Sequence, residues 1–192
     1  STQYFWRVRT SNPCGAGGTS TVSSFTTEAF FCATPALAIP DNNLTGVTSD
    51  LVVANGTAIT DLNLKIEATH SWVGDLKFTL THVASGTSVV AVDRPGYAGS
   101  GFGCSGNDIN ATLDDEGSGP VESQCAGAVP TINGTFTPNS PLTAFDGQLR
   151  AGTWRLTASD NAQGDTGTVT RWCISGTTQL APADDVFENS FE

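Results

Sequence analysis

Methionine is absent from this 192-residue chain, histidine occurs only as His70 and His82, and charged residues make up just 14% of it. Two separated histidines with no His-Glu-x-x-His helix give zinc hydrolase chemistry no ligand set. No Gly-x-Ser-x-Gly elbow presents a serine nucleophile. His70 has Ser71 beside it and Asp75 close in sequence, but adjacent strand residues face opposite sides of a sheet, so no catalytic triad is expected to converge there. Gly96, Gly99, Gly101 and Gly103 open no helix and precede no Lys-Ser/Thr, which removes a phosphate-binding loop. No apolar run nears the ~20 residues of a membrane-spanning helix, and no charged-then-apolar leader opens the chain. Basic residues are scarce: eight Lys and Arg against nineteen Asp and Glu give a net charge of -11. Such a surface repels a phosphate backbone, so nucleic acid is not an expected partner.

What remains suits strands and turns. Hydrophobic residues are 38% of the chain, glycine occurs 21 times, and Thr, Val and Ser are abundant while long helical periods are missing. The organising stretch runs from Ala68 to Leu80. Leu76, Phe78 and Leu80 alternate with Asp75, Lys77 and Thr79, the period of a strand with one buried face, and Val73-Gly74 supplies the bend that starts it. A second strand repeats the pattern with Trp154, Leu156 and Ala158 inward, and a third closes the domain through Trp172. Leu51-Val52-Val53 and Ile59 to Ile66 flank Asn55-Gly56, which predicts a hairpin. Ser85-Gly86 turns the chain into a strand over Thr87–Val92. From Tyr97 to Ala128 a Gly-, Ser- and Asp-rich excursion lacks regular pattern and exceeds ordinary connections, so it reads as functional or mobile. The pattern alone supports an antiparallel β-sandwich.

Gly74-Asp75-Leu76 after His70 and Trp72, the segment Phe145-Asp146-Gly147, the Trp154 strand ending at Asp160, and the strand through Trp172 together resemble the P domain. That domain follows the catalytic domain in kexin- and furin-like subtilisin-type proteases and in many secreted bacterial proteases. The resemblance covers roughly Cys32 to Ser175. It implies an eight-stranded jelly-roll β-sandwich of the galactose-binding-like kind over 29–176, with no catalytic residues of its own. It also implies a partner, the catalytic domain of a secreted serine endopeptidase in the same polypeptide, which the domain stabilises or regulates. Tyr4 to Arg9 and Thr21 to Thr27 resemble the last strands of a fibronectin type III module, giving a remnant over 1–28. A pair of strands alone is marginal in water, so this hairpin is expected to pack against the main domain or to be poorly ordered unless further chain precedes Ser1. The acidic tail, 177–192, resembles short Phe-containing tails that end some secreted proteobacterial proteins; its composition alone reads as a frayed terminus.

Cysteine spacing fits disulfides better than zinc or redox sites, which implies an oxidising, extracellular setting. Cys32 with Cys173 would tie the ends of the domain, and Cys104 with Cys125 would close the excursion, leaving Cys14 over. Cys14 with Cys32 would instead join the modules. Asp93, Asp108, Asp114, Asp115 and Glu116, with Asn110, offer hard oxygens on Gly-rich backbone, the chemistry Ca²⁺ prefers, although Asx residues are also default turn formers. The turn Asp160 to Asp165 reads as a connector. Asp75 is expected to accept hydrogen bonds that fix the loop around His70 and Trp72. Trp154 and Trp172 belong to the core, while Trp72 and Tyr97 are free to stack on a sugar ring. A secreted carbohydrate-binding or adhesion module is thus the alternative function.

Overall fold

A computed structural model describes residues 2–27 and 29–179. The chain opens with β1 (Thr2–Trp6), β2 (Arg9–Asn12), β3 (Gly15–Thr19) and β4 (Ser23–Thr27). β1 pairs with β4 and β2 with β3, both antiparallel, so the segment is one bent hairpin. Every residue from Tyr4 to Ser23 is exposed, including Phe5 and Trp6.

The sandwich follows. Its strands are β5 (Phe31–Ala33), β6 (Leu37–Ile39), β7 (Val47–Val53), β8 (Asn63–His70), β9 (Leu76–His82), β10 (Thr87–Asp93), β11 (Ile109–Leu113), β12 (Ile132–Phe136), β13 (Gly152–Asp160) and β14 (Gly167–Ser175). One sheet has the order β10-β9-β13-β7; the other has β12-β11-β8-β14-β5, with β6 pairing β14 beyond β5. Alternation explains which face each strand buries. Leu76, Phe78 and Leu80 of β9 face Leu64 and Ile66 of β8 and Trp172 of β14 in one apolar core, each at most 1% exposed. Burying a side chain of this size contributes about 1.5–3 kcal/mol, so this inner row outweighs any single polar contact described below.

Trp154 and Trp172 both lie in that core with their indole N–H groups satisfied, Trp154 Nε1 donating to Arg150 O at 2.9 Å and Trp172 Nε1 to Ser49 Oγ at 2.9 Å. Val169 and Trp172 are both buried although three residues apart, because the register of β14 against β8 shifts between Val169 and Arg171. A bulge of this kind resets which face the next side chain takes. It turns Arg171 outward toward Glu67, at 3.3 Å, and Trp172 inward.

Three expectations need correction. The arms around Asn55-Gly56 form no hairpin: β7 pairs with β13 in one sheet while β8 pairs with β11 and β14 in the other. Gly56 serves close approach instead, since a Cβ there would sit 2.8 Å from Arg150 Cβ. The excursion from Tyr97 is not irregular throughout, because β11 lies inside it, buried between β8 and β12. Finally, β11 and β12 run parallel, so the sandwich is not wholly antiparallel.

Cys32–Cys173 joins residues that sit opposite each other on β5 and β14, and Cys104–Cys125 closes a shorter loop of sequence separation 21. Cys14 is free and exposed. Past Ser175 the chain keeps pairing: Thr60 N–H donates to Thr177 O and Gln179 N–H to Ala58 O. The remainder of the acidic tail, from Leu180, and its expected frayed character lie outside the described residues.

Candidate functional site

Three of the buried ionisable groups among the described residues, His70, Asp75 and Asp160, gather at one end of the sandwich, where β8 runs out, β9 begins, β13 ends and β14 starts. The bend at Val73-Gly74 is a 3-10 turn over Val73–Asp75. Its backbone is locked to the excursion: Val73 N–H donates to Gly106 O at 3.0 Å, Gly74 N–H to Cys104 O at 2.9 Å, and Cys104 N–H to Pro95 O at 2.7 Å. Gly74 must lack a side chain, since a Cβ would lie 2.4 Å from Cys104 N and 2.5 Å from Phe102 O. Trp72 Nε1 donates to Phe102 O at 2.6 Å, and the two rings meet edge to face with centroids 6.4 Å apart. Phe102 remains 67% exposed, so this corner presents aromatic surface to solvent.

Behind the turn, His70 is buried and held on all sides. Asp108 Oδ1 accepts its backbone N–H at 3.0 Å, Nδ1 lies 2.8 Å from Trp72 O, and Nε2 lies 3.2 Å from Asp160 Oδ2. Asp160 is itself fully buried, and its Oδ1 accepts Ala162 N–H at 3.0 Å. This pair connects β8 of one sheet to β13 of the other. Ser71 Oγ points away and donates to Asp165 Oδ1 at 2.7 Å.

Asp75 differs from the role expected of it. Its carboxylate does not fix the His70 loop; Asp108 and Asp160 do that. The backbone carbonyl of Asp75 accepts two hydrogen bonds from Asn161, from N at 2.9 Å and Nδ2 at 3.0 Å. The carboxylate lies only 2% exposed, with Oδ1 lacking any hydrogen bond and Arg94 Nη2 4.0 Å away. Desolvation, then the neighbouring Asp160 charge, pushes its pKa up to about 6 against the attraction of Arg94. Arg94 is shared three ways, since its Nε also donates to Gly74 O at 3.4 Å and its guanidinium lies 3.8 Å over the Tyr97 ring. Nothing in the sequence pattern pointed to Arg94 or Asn161, because both act through folding partners far along the chain.

The other histidine supports no triad either. His82 Nδ1 is 3.1 Å from Ser85 Oγ and Nε2 is 3.3 Å from Ala151 O, so a carbonyl stands where a triad needs a carboxylate. Its ring stacks on Trp154 at 4.6 Å, a core contact.

The five carboxylates expected to share calcium are not brought together. Asp93 pairs with Lys77 at 3.2 Å, and Asp108 caps His70. Asp114 Oδ1 accepts Glu116 N–H at 2.9 Å, while both oxygens of Asp115 accept the N–H groups of Leu142 and Thr143, at 2.9 and 2.8 Å. Glu116 is exposed, and its pKa is raised by its hydrogen bond to Asp114. Asn110 is bonded to Lys65 Nζ. Among the described residues no group of three or more His, Cys, Asp or Glu side chains is placed to hold a metal ion. Each of these carboxylates with an assigned partner serves a turn, a cap or an ion pair in this structure.

No protein-family model matches the chain. Two curated proteins, both called calcium-dependent protease, are similar to it: one from Trichormus variabilis is 29% identical over 133 residues and one from Nostoc sp. 27% identical over 131. Each alignment covers 68% of this chain, which spans only 16% of either relative. Among solved structures, the serine protease of Aeromonas sobria superposes with a TM-score of 0.46, and with 0.47 in its complex with the chaperone ORF2, at 15% and 16% identity. Those superpositions cover 78% of this chain and 26% of the protease.

Proposed function

We propose that this chain is an accessory β-sandwich module of a secreted protease, P-domain-like in kind, that does no chemistry itself and stabilises or regulates a catalytic domain elsewhere in its polypeptide. One observation carries the reading: the two similar proteins are both called proteases, yet the similarity takes up 68% of this chain and only 16% of theirs. A module of a larger enzyme has that proportion. The motif string from Gly74-Asp75-Leu76 to Trp172 supports the P-domain assignment, and the bent hairpin over Thr2–Thr27 is compatible with a fibronectin type III remnant. The two disulfides support an oxidising, extracellular setting.

The mechanism is mass action. A module that binds only the folded catalytic domain stabilises it against unfolding by RT ln(1 + [L]/Kd), with a linked module supplying a high effective concentration. Calcium dependence belongs by name to the relatives; on this chain the carboxylates with assigned partners already serve turns, caps and ion pairs, so the reading places no ion here.

The test is the thermal inactivation half-life of the parent protease with and without this module. A longer half-life with the module is expected; an unchanged one would sink the proposal. The rival, a glycan-binding module, is favoured by the corner where exposed Phe102 meets the half-buried Trp72 ring. Glycan binding that Trp72→Ala abolishes, without any effect of the module on protease lifetime, would select it.

A further inference from the structure

Arg94 stands where a side chain is costly. It follows β10 in the left-handed region, with φ 58°, a conformation that glycine takes freely and arginine rarely does. Its backbone is tied down, Arg94 N–H donating to Leu76 O at 2.8 Å and Tyr97 N–H to Arg94 O at 2.9 Å, which leaves movement to the side chain. A strained position that keeps a long charged side chain points to a task for that side chain.

The guanidinium rests on weak contacts and faces a strong one. Nε donates to Gly74 O at 3.4 Å, a long hydrogen bond, and the Tyr97 ring lies 3.8 Å away. Nη2 meanwhile lies 4.0 Å from Asp75 Oδ1, which is buried and has no hydrogen bond. An approach of about 1 Å would turn that gap into a charge-assisted bond, roughly twice as strong as a neutral one. Whether the approach is favourable depends on the charge of Asp75. Burial first, then Asp160 at the end of β13 and Asp165 in the following connection, disfavour that charge; Arg94 and His70 favour it. His70 is committed to Asp160, Asp165 accepts Ser71 Oγ, Asp108 on the excursion accepts the His70 N–H, and Lys77 of β9 pairs with Asp93 of β10. Arg94 is left as the cation placed to answer a charged Asp75.

We propose that Arg94 is a two-position latch thrown by the proton on Asp75: with the carboxyl neutral, the guanidinium stays on Gly74 O and the Tyr97 ring, and with the carboxylate charged it closes onto Oδ1 and leaves the ring. Tyr97 is 39% exposed and Gly74 abuts Phe102 O, so both ends of the latch adjoin the Trp72–Phe102 corner. When Arg94 leaves, Tyr97 gains a bare face and Gly74 O loses a donor. The corner thus presents more aromatic surface at neutral pH than in acid. This device belongs to the fold, whether the module serves a protease or binds a glycan.

The test is NMR of the full chain carrying Tyr4→Phe, which leaves Tyr97 as the only tyrosine. The Overhauser contact between the Arg94 side chain and the labelled Tyr97 ring is followed from pH 5 to 8. It is expected to weaken by about tenfold or more, as the neutral fraction of a group titrating at about 6 does over that span, with the Tyr97 ring shifts moving at the midpoint of the Asp75 carboxyl signal. A contact that stays unchanged across the range overturns the latch. In Asp75→Asn the contact is expected to keep its acid strength at pH 8; a loss with the same midpoint assigns the titration to His70, Asp160 or Asp165 and also overturns it. Should Asp75→Asn fail to fold, Arg94→Met takes its place. The Asp75 carboxyl still titrates there while the Tyr97 shifts are expected to stand still, and Tyr97 shifts that go on following the Asp75 midpoint without the guanidinium count against the proposal.

Discussion

A buried carboxylate with an orphan oxygen makes the stability of the domain pH-dependent in an unusual direction. Asp75 titrates near 6 in the folded chain against an ordinary value of 3.8, so the folded state holds its proton more tightly than the unfolded state does. Stability therefore rises as pH falls from about 7 through 6 toward 4, and is lost again as the pH climbs back through the folded value; that gap corresponds to about 3 kcal/mol at most. Glu122, whose pKa is raised chiefly by burial, slopes the same way, whereas Asp50, held down by its hydrogen bond to Arg155, works oppositely at lower pH. Urea unfolding of the unmodified chain and of Asp75→Asn between pH 5 and 8 isolates the effect. The variant is expected to lose most of the slope and to be the more stable of the two at pH 8. Identical slopes would mean that water or a shift of Arg94 already serves Asp75.

At the scale of elements, close backbone contact dictates the cost of change. Gly74→Ala would drive a methyl to 2.4 Å from Cys104 N, separating the 3-10 turn from the excursion and breaking the Trp72–Phe102 corner. A loss of about 1–3 kcal/mol is expected, read by denaturant midpoint together with a change in tryptophan fluorescence. The disulfides should rank by the chain they close: removing Cys32–Cys173, of separation 141, is expected to cost about 4–5 kcal/mol, and removing Cys104–Cys125, of separation 21, about 3. A reversed order would show that the second bridge chiefly holds the excursion against Gly74. Strands were legible wherever alternation was uninterrupted, as in Leu76 to Leu80 or Trp154 to Ala158. They were hidden where Gly, Asn and Thr supply the outer face, as in β11 and β12. The inward Ile109, Ala111 and Leu113 do alternate, but turn-forming residues on both sides masked them. Asn55-Gly56 misled for the opposite reason, because a strong local turn signal was overridden by the two flanking strands joining different sheets. The end-of-sandwich site was partly readable, since His70, Trp72, Gly74, Asp75 and Asp160 all meet there. Who bonds whom was not, because the partners Asp108 and Asp160 of His70 lie 38 and 90 residues away.

For the molecule as a whole, the acidic composition and the scatter of carboxylates lead to a plain expectation. Melting curves of this chain in millimolar calcium and in chelator should superimpose, and a rise in Tm with calcium would reveal an ion site outside the described residues or a rearrangement of the Asp114–Glu116 turn. The bent hairpin of β1 to β4 leaves Tyr4, Phe5, Trp6 and Val8 each at least half exposed, so the chain alone should bind a hydrophobic dye more than a version lacking residues 1–28. β14 is the last of the described strands, yet it lies inside its sheet, with β8 along one edge and β5 and β6 along the other. A growing polypeptide thus cannot close that layer from what has already emerged: β8, β5 and β6 must wait unpaired on that side until Gly167 to Ser175 arrives. Maturation of this unit is all-or-nothing in time, and a nascent chain halted before Thr166 should stay fully open to digestion while one released past Gln179 becomes resistant.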